Sequence, residues 1–229
     1  MGPSTIVSYD DTLNDQDALM LGRLLADAGA RLTLAYVRHT TQALRSREEL
    51  EEDEAKALLE RGARWLGDLD VGRRVLVSGS TGEGLKRLAE EERAEVVVFG
   101  SDYRTAAGHV AAGRSAHSLL EGGPVAVAIA PANYRSDRSP RLETIGVSSA
   151  DGDDAAVETA RQLAASAGAV VQRDGGKVDL LVIGSRGEAP AGRVMITAQA
   201  QNAIERATSP VLVVARGVPL RFAEAVAAA

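Results

Sequence analysis

The chain alternates between short apolar runs and longer amphipathic segments, a pattern that predicts parallel strands joined by helices. The run from Val96 to Phe99 is unbroken, β-branched and aromatic, and Gly100 ends it. Such runs are typical of strands that are buried on both faces of a parallel sheet. A loop with spaced glycines, apolar residues at helical spacing over 116–120 and a second apolar run over 125–129 follow. The segment 95–131 is therefore predicted to form a strand, a loop, a helix and a second strand.

The same pattern recurs near the C-terminus, over the segment from Asp179 to Arg216. In both copies the first strand ends in Gly-Ser, and a proline opens the last strand. These markers are Gly100, Ser101 and Pro124 in the first copy and Gly184, Ser185 and Pro210 in the second. A period this long that occurs twice indicates two homologous domains rather than a solenoid.

Three further strand–helix pairs are predicted ahead of the first copy. Their apolar spacing places strands at 5–9, 31–37 and 74–78 and helices at 15–28, 46–69 and 85–92. The glycine-rich stretch 79–84 lacks the basic residue of a P-loop, so we interpret it as a strand-to-helix connection. The predicted fold class is α/β, with two open parallel-sheet, Rossmann-like domains in tandem.

Composition narrows the class of protein. The chain has 229 residues, of which 45% are hydrophobic and 25% charged, as is ordinary for globular proteins. It contains no cysteine, which excludes disulfides, thiolate metal sites and a catalytic thiol. The net charge is −6 and there is no basic cluster, so we do not expect a nucleic-acid partner. We recognise no signal peptide and no membrane-spanning run, and therefore expect a cytoplasmic protein.

The repeated unit resembles the end of a universal stress protein domain. In that family the nucleotide loop reads Gly, two residues, Gly, nine residues, then Gly followed by Ser or Thr. In the first copy Gly100 and Gly113 match the outer glycines, and Ser115 falls one position late. Tyr103 replaces the second glycine, and Arg114 occupies the position of the usual hydroxyl. The first copy thus matches the family's loop in part.

The second copy departs from the same loop at a different point. Gly184 and Gly187 match the first two glycines, but Thr197 and Ala198 replace the closing Gly-Ser. Because only the first copy keeps the closing glycine, we expect any nucleotide to bind in the first domain.

The resemblance implies an adenine nucleotide as ligand, with ATP as the expected cofactor. The residues to which it points are Asp10, Val37, Gly100, Gly113, Arg114 and Ser115. Glycines allow the backbone to approach a phosphate without an intervening Cβ. The helix that starts after Gly113 would offer its N-terminal N–H groups to that phosphate. Tyr103 either blocks the path of the ribose and phosphates or points to solvent.

Two of these positions have an alternative interpretation. Asp10 matches the family's aspartate near the adenosine, whereas its neighbours Asp11, Thr12 and Asn14 are candidates for the cap of the next helix. Val37 ends the second predicted strand and matches the residue that packs beside the adenine. The other interpretation of Val37 is that it belongs only to the hydrophobic core.

The stretch from Asn133 to Pro140 is polar and turn-rich, which predicts a linker between the domains. We predict a universal stress protein domain over 1–134, a linker over 135–141 and a truncated domain over 142–216. The tail is 217–229, and its segment 219–229 is expected to form a short frayed helix.

The second domain is shorter than the first. Asp10 and Gly100 are 90 positions apart, but their counterparts Ala150 and Gly184 are separated by only 34, so a helix, a strand and a helix are missing. The residues available after its first helix are too few for a crossover to the next parallel strand. We therefore expect 169–173 to form an antiparallel edge piece or a loop. About three parallel strands should then remain in this domain.

This shortening predicts how the two domains meet. A right-handed crossover would place the helix 153–167 on the same sheet face as the helix 195–207 and leave the other face open. A soluble monomer does not tolerate an uncovered apolar face of that size. Since tandem members of the family pair through their last strands, we expect 125–129 to contact 211–215. We also expect the protein to form a homodimer.

Three functions fit these observations. The leading one is an adenine-nucleotide-binding universal stress protein without dedicated catalysis, because no general base, nucleophile or metal cage accompanies the loop. The alternative is a nucleotide-free protein-interaction module that kept the fold and lost the ligand. The third is a slow nucleotide hydrolase.

Overall fold

The computed structural model of the chain describes residues 2–39, 45–67, 70–137, 140–149, 153–172 and 177–222, with side chains in the second helix from residue 52 onward. Within these residues, six α-helices cover the two faces of one large sheet, and two short strands pair separately. The strands are β1 (Ser4–Ser8), β2 (Arg31–His39), β3 (Gly72–Ser78), β4 (Val96–Gly100), β5 (Glu121–Gly123), β6 (Ala126–Ala130), β7 (Thr144–Ser148), β8 (Val170–Gln172), β9 (Leu180–Gly184), β10 (Val194–Met195) and β11 (Val211–Val214). The helices are α1 (Leu13–Asp27), α2 (Arg45–Leu66), α3 (Thr81–Glu92), α4 (Arg114–Leu120), α5 (Ala155–Ala167) and α6 (Ala198–Arg206).

The two expected sheets form a single sheet of nine strands, in the order β3-β2-β1-β4-β6-β11-β9-β7-β8. Every neighbouring pair in it is parallel except β6 and β11, which run antiparallel with Val211 opposite Ile129. The contact predicted between the last strands of the two repeats is therefore confirmed. Below, β1 to β6 with their helices are called the N-terminal unit, and β7 to β11 with theirs the C-terminal unit. In both units an open sheet of parallel strands holds the loops at its carboxyl edge.

Glycines in the connection after β3 serve helix packing. The helix α3 begins after Ser80, whose Oγ accepts a hydrogen bond from the N–H of Glu83 at 3.3 Å. A Cβ on Gly82 would lie 2.3 Å from the Oγ of Ser118, and one on Gly84 would lie 3.0 Å from Val37. This glycine-rich stretch is thus a strand-to-helix connection, as predicted. Its glycines let α3 approach α4 and β2 closely.

The helices divide between the two faces of the sheet. One core contains buried residues of α1, α2 and α5, and the other contains buried residues of α3, α4 and α6. The prediction that the helices now seen as α5 and α6 share a face is therefore wrong. Both faces of the C-terminal unit are covered, and the predicted open face does not exist.

The error comes from β8, which we expected to be an antiparallel piece or a loop. It is a parallel edge strand that pairs with β7, so the C-terminal unit has four parallel strands, β7, β8, β9 and β11. The crossover through α5 joins β7 to β8, on the opposite side from β9, and this reverses the face that a right-handed connection selects. Val178, which precedes β9, packs over β7 at Gly146. Glycine suits this position because a Cβ on it would lie 3.1 Å from Val178.

The C-terminal tail also differs from the prediction over 219–222, the part of the predicted helix that the structure describes. Its described residues, 217–222, are not helical, and Leu220 and Phe222 are buried in the core beneath α5. The N–H of Leu220 donates to the Oγ1 of Thr159 at 2.9 Å. Two large apolar side chains so close to the last β-strand favour packing against the sheet over a frayed helix. Residues 223–229 lie outside the described part of the chain.

Each of the two cores contains residues of both units, and polar contacts also join the units. The Oγ of Ser166 in α5 donates to the carbonyl of Ala28, just after α1, at 2.7 Å. The predicted linker contains a 3₁₀ turn, Tyr134–Ser136, and its residue Arg135 pairs with the buried Asp17 of α1 at 3.0 Å. No helix within the described ranges has the length and apolarity needed to cross a membrane.

Candidate functional site

The topology brings the predicted site residues of the N-terminal unit to one edge of the sheet. The strand β1 lies between β2 and β4, and all three run parallel, so their carboxyl ends are neighbours. Asp10 follows β1, Val37 lies near the end of β2, and Gly100 ends β4. Gly113 is the N-cap of α4, the helix that begins with Arg114 and Ser115.

The loop between β1 and α1 separates the capping role from the position expected to contact ligand. Thr12 caps α1 and forms a reciprocal pair with Asp15, which confirms that a neighbour of Asp10 provides the cap. The Oδ2 of Asp15 accepts from the Oγ1 of Thr12 at 2.6 Å and from the N–H of Asp10 at 3.2 Å. Burial and the neighbouring carboxyl group of Asp10 raise the pKa of Asp15 to about 8. Asp10 itself is exposed to solvent at the carboxyl edge of the sheet.

Asp11 fixes this loop to α2, a role that the sequence analysis did not identify. The Oδ1 of Asp11 accepts from the hydroxyl of Tyr9 at 2.6 Å, and its Oδ2 accepts from the Nε of Arg61 at 2.8 Å. The hydrogen bonds from Tyr9 and Arg61 lower the pKa of Asp11. Its φ of 66° lies in the left-handed region, where aspartate is among the better tolerated residues.

Val37 and Gly100 both have a structural role at this edge. Val37 is only 5% exposed and packs against α3 at Gly84, so it belongs to the core. A Cβ on Gly100 would lie 2.0 Å from the carbonyl oxygen of Asn14. Glycine is therefore required there so that α1 can approach β4. The Nδ2 of Asn14 strengthens this contact by donating to the carbonyl of Ser101 at 2.8 Å.

The loop after β4 is held by a buried serine. The Oγ of Ser101 donates to the carbonyl of Ala130 at 2.7 Å and accepts from the N–H of Ala111 at 3.2 Å. Tyr103 projects from this loop and is 72% exposed, with the guanidinium of Arg104 4.9 Å from its ring centre. Of the two orientations considered for Tyr103, the structure shows the one directed to solvent.

The start of α4 presents backbone without a side-chain cap. The N-cap residue is Gly113, which has no side chain to cap the first turn. A Cβ added at Gly113 would have no neighbour closer than 3.9 Å. Arg114 is exposed beside it, and Ser115 is half-buried. An anion at this point would meet N–H donors and a guanidinium group.

The corresponding loop of the C-terminal unit has the same frame. The Oγ of Ser185 donates to the carbonyl of Val214 at 2.8 Å and accepts from the N–H of Met195 at 3.3 Å. These bonds repeat those of Ser101 with every partner displaced by 84 positions. The N-cap differs, because the Oγ1 of Thr197 accepts from the N–H of Ala200 at 3.0 Å. The positions compared with Asp10, 150 and 151, lie outside the described residues.

Two of the three histidines, His39 and His117, lie at the surface. The Nε2 of His117 lies 3.1 Å from a carboxylate oxygen of Glu121. The Nε2 of His39 lies 3.4 Å from the hydroxyl of Thr81. Within the described residues, no group of three or more metal-binding side chains is placed to hold an ion.

Comparisons with known proteins identify a family and structures with the same fold. The model of the universal stress protein family matches residues 5–131. A universal stress protein from Archaeoglobus fulgidus DSM 4304 superimposes with a TM-score of 0.71 at 16% identity, over 93% of this chain and 98% of the other. A protein of unknown function from Pseudomonas aeruginosa PAO1 gives 0.61 at 14% identity, over 94% and 93% of the respective chains. No curated protein sequence matches the chain. At these identities the structural matches establish a shared fold.

Proposed function

The chain belongs to the universal stress protein family, and we propose that it is an adenine-nucleotide-binding stress-response protein without dedicated catalysis. We assign the site to the N-terminal unit, with ATP as ligand, between Asp10, Val37 and the loop from Gly100 to Ser115. One observation carries the proposal: an exposed carboxylate, open backbone at Gly113 and the cation of Arg114 border the same sheet edge.

In this proposal the phosphates lie against Gly113, Arg114 and Ser115. Gly113 lets the phosphate oxygens approach the backbone N–H groups of the following residues, because no Cβ intervenes. Arg114 supplies a positive charge that attracts them, and the hydroxyl of Ser115 supplies a further donor. The buried bonds of Ser101 hold the loop in place, so little ordering is needed when ligand binds.

The adenosine end is assigned to Asp10 and the end of β2. The carboxylate of Asp10 is an acceptor suited to ribose hydroxyls or to the exocyclic amine of adenine. Asp15 and Asp11 hold the backbone of the same loop, so the exposed position of Asp10 is maintained from both sides. Val37 is buried against α3, so it supports the adenosine site from the core and does not form an exposed side of it.

The alternative function is a nucleotide-free interaction module, and Tyr103 favours it. An aromatic ring that is 72% exposed and stacked with an arginine is typical of residues that anchor protein interfaces. In this alternative the loop after β4 binds a protein partner, and the family's ligand is lost.

The remaining assignments follow from the same proposal. We propose two tandem domains, 1–134 and 142–216, joined by 135–141, in a cytoplasmic protein. A homodimer is also proposed. It would have to use a surface other than the β6 and β11 edges, because these pair with each other inside one chain.

The test is calorimetric titration of ATP into the full chain and into Gly113→Thr. Threonine at this position should cap α4 as Thr197 caps α6, and the space around Gly113 admits its Cβ. We expect the variant to fold normally and to bind ATP at least about tenfold more weakly. The reason is that ATP would lose one or more charge-assisted hydrogen bonds to the backbone at the start of α4. The matched control is Thr197→Gly, which should leave ATP affinity unchanged. Equal affinities of the chain and the Gly113 variant would refute the assignment, and no ATP binding by either would favour the interaction module.

A further inference from the structure

The strand β3 forms one end of the nine-stranded sheet and has a single neighbour, β2, among the described strands. It pairs with β2 over all seven of its residues, so the whole opposite edge of the strand lies open. An unpaired edge of this length offers N–H and C=O groups to a strand of another chain. The strand at the other end of the sheet, β8, has only three residues. Of the two ends that the structure describes, β3 is therefore the one on which the sheet could be extended.

Two arginine side chains bond to backbone carbonyls of β3. The Nη2 of Arg87, in α3, donates to the carbonyl of Val77 at 2.9 Å. The Nη1 of Arg74 donates to the carbonyl of Arg73, also at 2.9 Å. Arg73 and Val77 are four positions apart, so their backbone groups point to the same side of the strand.

The strand register shows that this side is the outer one. The N–H of Tyr9 donates to the carbonyl of Ala35 at 3.0 Å, so Ala35 and every second residue of β2 bond to β1. The residues between them bond to β3, and one of these, Leu34, is paired with Arg73. In a parallel ladder the groups of Leu34 bond to the residues on either side of Arg73, so Arg73 directs its own N–H and C=O away from β2. The same holds for Val77, and both arginine bonds therefore lie on the outer edge of β3.

The helix α3 holds both guanidinium groups in place. Arg74 forms an ion pair with Glu92, in the last turn of α3. The Nε of Arg87 lies 3.7 Å from a carboxylate oxygen of Glu91, one turn further along the same helix. A strand that joined this edge would have to remove the guanidinium groups from the carbonyls of β3, which are charge-assisted hydrogen bonds.

A second copy of β3 is the partner whose geometry fits this edge. Around a twofold axis at Val75, two antiparallel β3 strands place Arg73 of one copy opposite Val77 of the other, because both lie two positions from Val75. The carbonyls of Arg73 and Val77 would then be acceptors of the new ladder, and these are the carbonyls to which the arginines bond. The side chain of Val77 is 43% exposed and would be covered in such a pair.

We propose that Arg74 and Arg87 prevent β3 from pairing with the β3 strand of a second copy of the chain. Their side chains supply the hydrogen bonds that a neighbouring strand would otherwise supply, and they place two positive charges along the edge. A homodimer of this chain then uses a surface other than β3. The proposal does not depend on whether ATP binds to the N-terminal unit.

The first test compares the unmodified chain with the double variant Arg74→Thr, Arg87→Ala by sedimentation velocity. Threonine favours a strand and alanine favours a helix, and both arginines are exposed, so we expect the double variant to keep a cooperative melt. It should self-associate at least about tenfold more tightly than the unmodified chain, and the added mass should correspond to one further copy. The variant loses two positive charges from a chain of net charge −6, which by itself disfavours association. Lys86→Ala, an exposed change in the same turn of α3, is the matched control and should leave association unchanged.

The second test reports the register of the pairing. The chain has no cysteine, so Val75→Cys introduces a single thiol at the expected twofold axis. Opposite residues in a hydrogen-bonded antiparallel pair have Cα atoms about 5.5 Å apart, which a disulfide can bridge. Under oxidising conditions, Val75→Cys should form covalent dimers in the double variant and should stay monomeric on a denaturing gel when both arginines are present.

Four results would overturn the proposal. The first is a folded double variant that sediments like the unmodified chain. The second is equal association of Lys86→Ala and the double variant, which would assign the effect to charge alone. The third is association of the double variant without a covalent dimer at position 75, which would assign it to another surface. The fourth is equal crosslinking of Val75→Cys with and without Arg74 and Arg87. If the double variant does not melt cooperatively, Arg87→Ala alone undergoes both tests with the same criteria, since it frees the carbonyl of Val77.

Discussion

The ion pair between Asp17 and Arg135 should be a main determinant of stability, and Arg135→Met tests this. Asp17 is fully buried in the second turn of α1. Its carboxylate accepts from the backbone N–H groups of Asn133 and Arg135, each at 2.8 Å, and from the guanidinium of Arg135 at 3.0 Å. Methionine keeps much of the arginine's volume but removes the charge and its donors. The variant therefore leaves a buried carboxylate with only backbone donors.

The expected loss follows from the burial of the two partners. Removal of one member of a buried pair costs about 3–5 kcal/mol, because the remaining charge is uncompensated. Two backbone donors remain on Asp17, and the Arg135 side chain is 24% exposed, so we expect about 3 kcal/mol, the low end of that range. For a chain of this length, that corresponds to a decrease in Tm of about 6–12 °C. Arg61→Met, which breaks an exposed pair with Asp11, should cost about 0–1 kcal/mol.

Urea unfolding and thermal melts of the three proteins provide the measurement. Trp65, the only tryptophan, reports on α2 by fluorescence, and far-ultraviolet circular dichroism reports on the whole chain. A loss below about 1 kcal/mol for Arg135→Met, or an equal loss for Arg61→Met, would refute the reasoning.

Three further predictions follow from the structure. Tyr103→Gly should leave ATP affinity unchanged in calorimetry, because the ring points to solvent; a clear increase would mean that the ring blocks the site in solution. The raised pKa of Asp15, about 8 beside Asp10, should make stability fall as pH rises from about 4 to about 8, since the folded state keeps a proton that the unfolded chain has lost. Denaturation across that range should show a smaller slope for Asp15→Asn, and an unchanged slope would contradict the assignment. The fragment 142–229 should aggregate in size-exclusion chromatography because it exposes the edge of β11, and a monomeric fragment with a cooperative melt would argue against this.

The central strands were predictable because burial on both faces leaves a plain signal in the sequence. The runs that form β4 and β11 are apolar at consecutive positions, and both lie in the middle of the sheet. The strand β8 gives no such signal, since it has three residues and its Val170 is 64% exposed. The missed edge strand then produced the wrong face for α5. A single short strand can thus reverse a prediction of helix placement even when the handedness rule holds.

Only the parts of the candidate site that recur in both units could be predicted from the sequence. The glycines and the serine after β4 and β9 mark the loop in both units, and the structure gives both loops the same hydrogen bonds. The orientation of Tyr103 and the tether between Asp11 and Arg61 depend on contacts between distant parts of the chain. Residue types and spacing along one strand or loop do not contain that information. The same holds for Gly100, whose requirement for glycine is explained by the backbone of α1 rather than by a ligand.

The two loops show how the groups presented at a sheet edge can change while the loop conformation is kept. The frame depends on buried groups, Ser101 and Ser185, whose loss would leave backbone donors and acceptors without partners. The outward positions have no such constraint, and they differ between the units: Arg114 corresponds to Ala198, and Gly113 to Thr197. Exchange of a glycine N-cap for threonine replaces an external acceptor with an internal one at the same N–H group. Together with the loss of one guanidinium, this removes from the C-terminal unit the groups to which the phosphate site of the N-terminal unit is assigned. On this argument, differences in ligand among proteins of this fold are to be sought at the N-cap and the position after it, before the glycines of the loop.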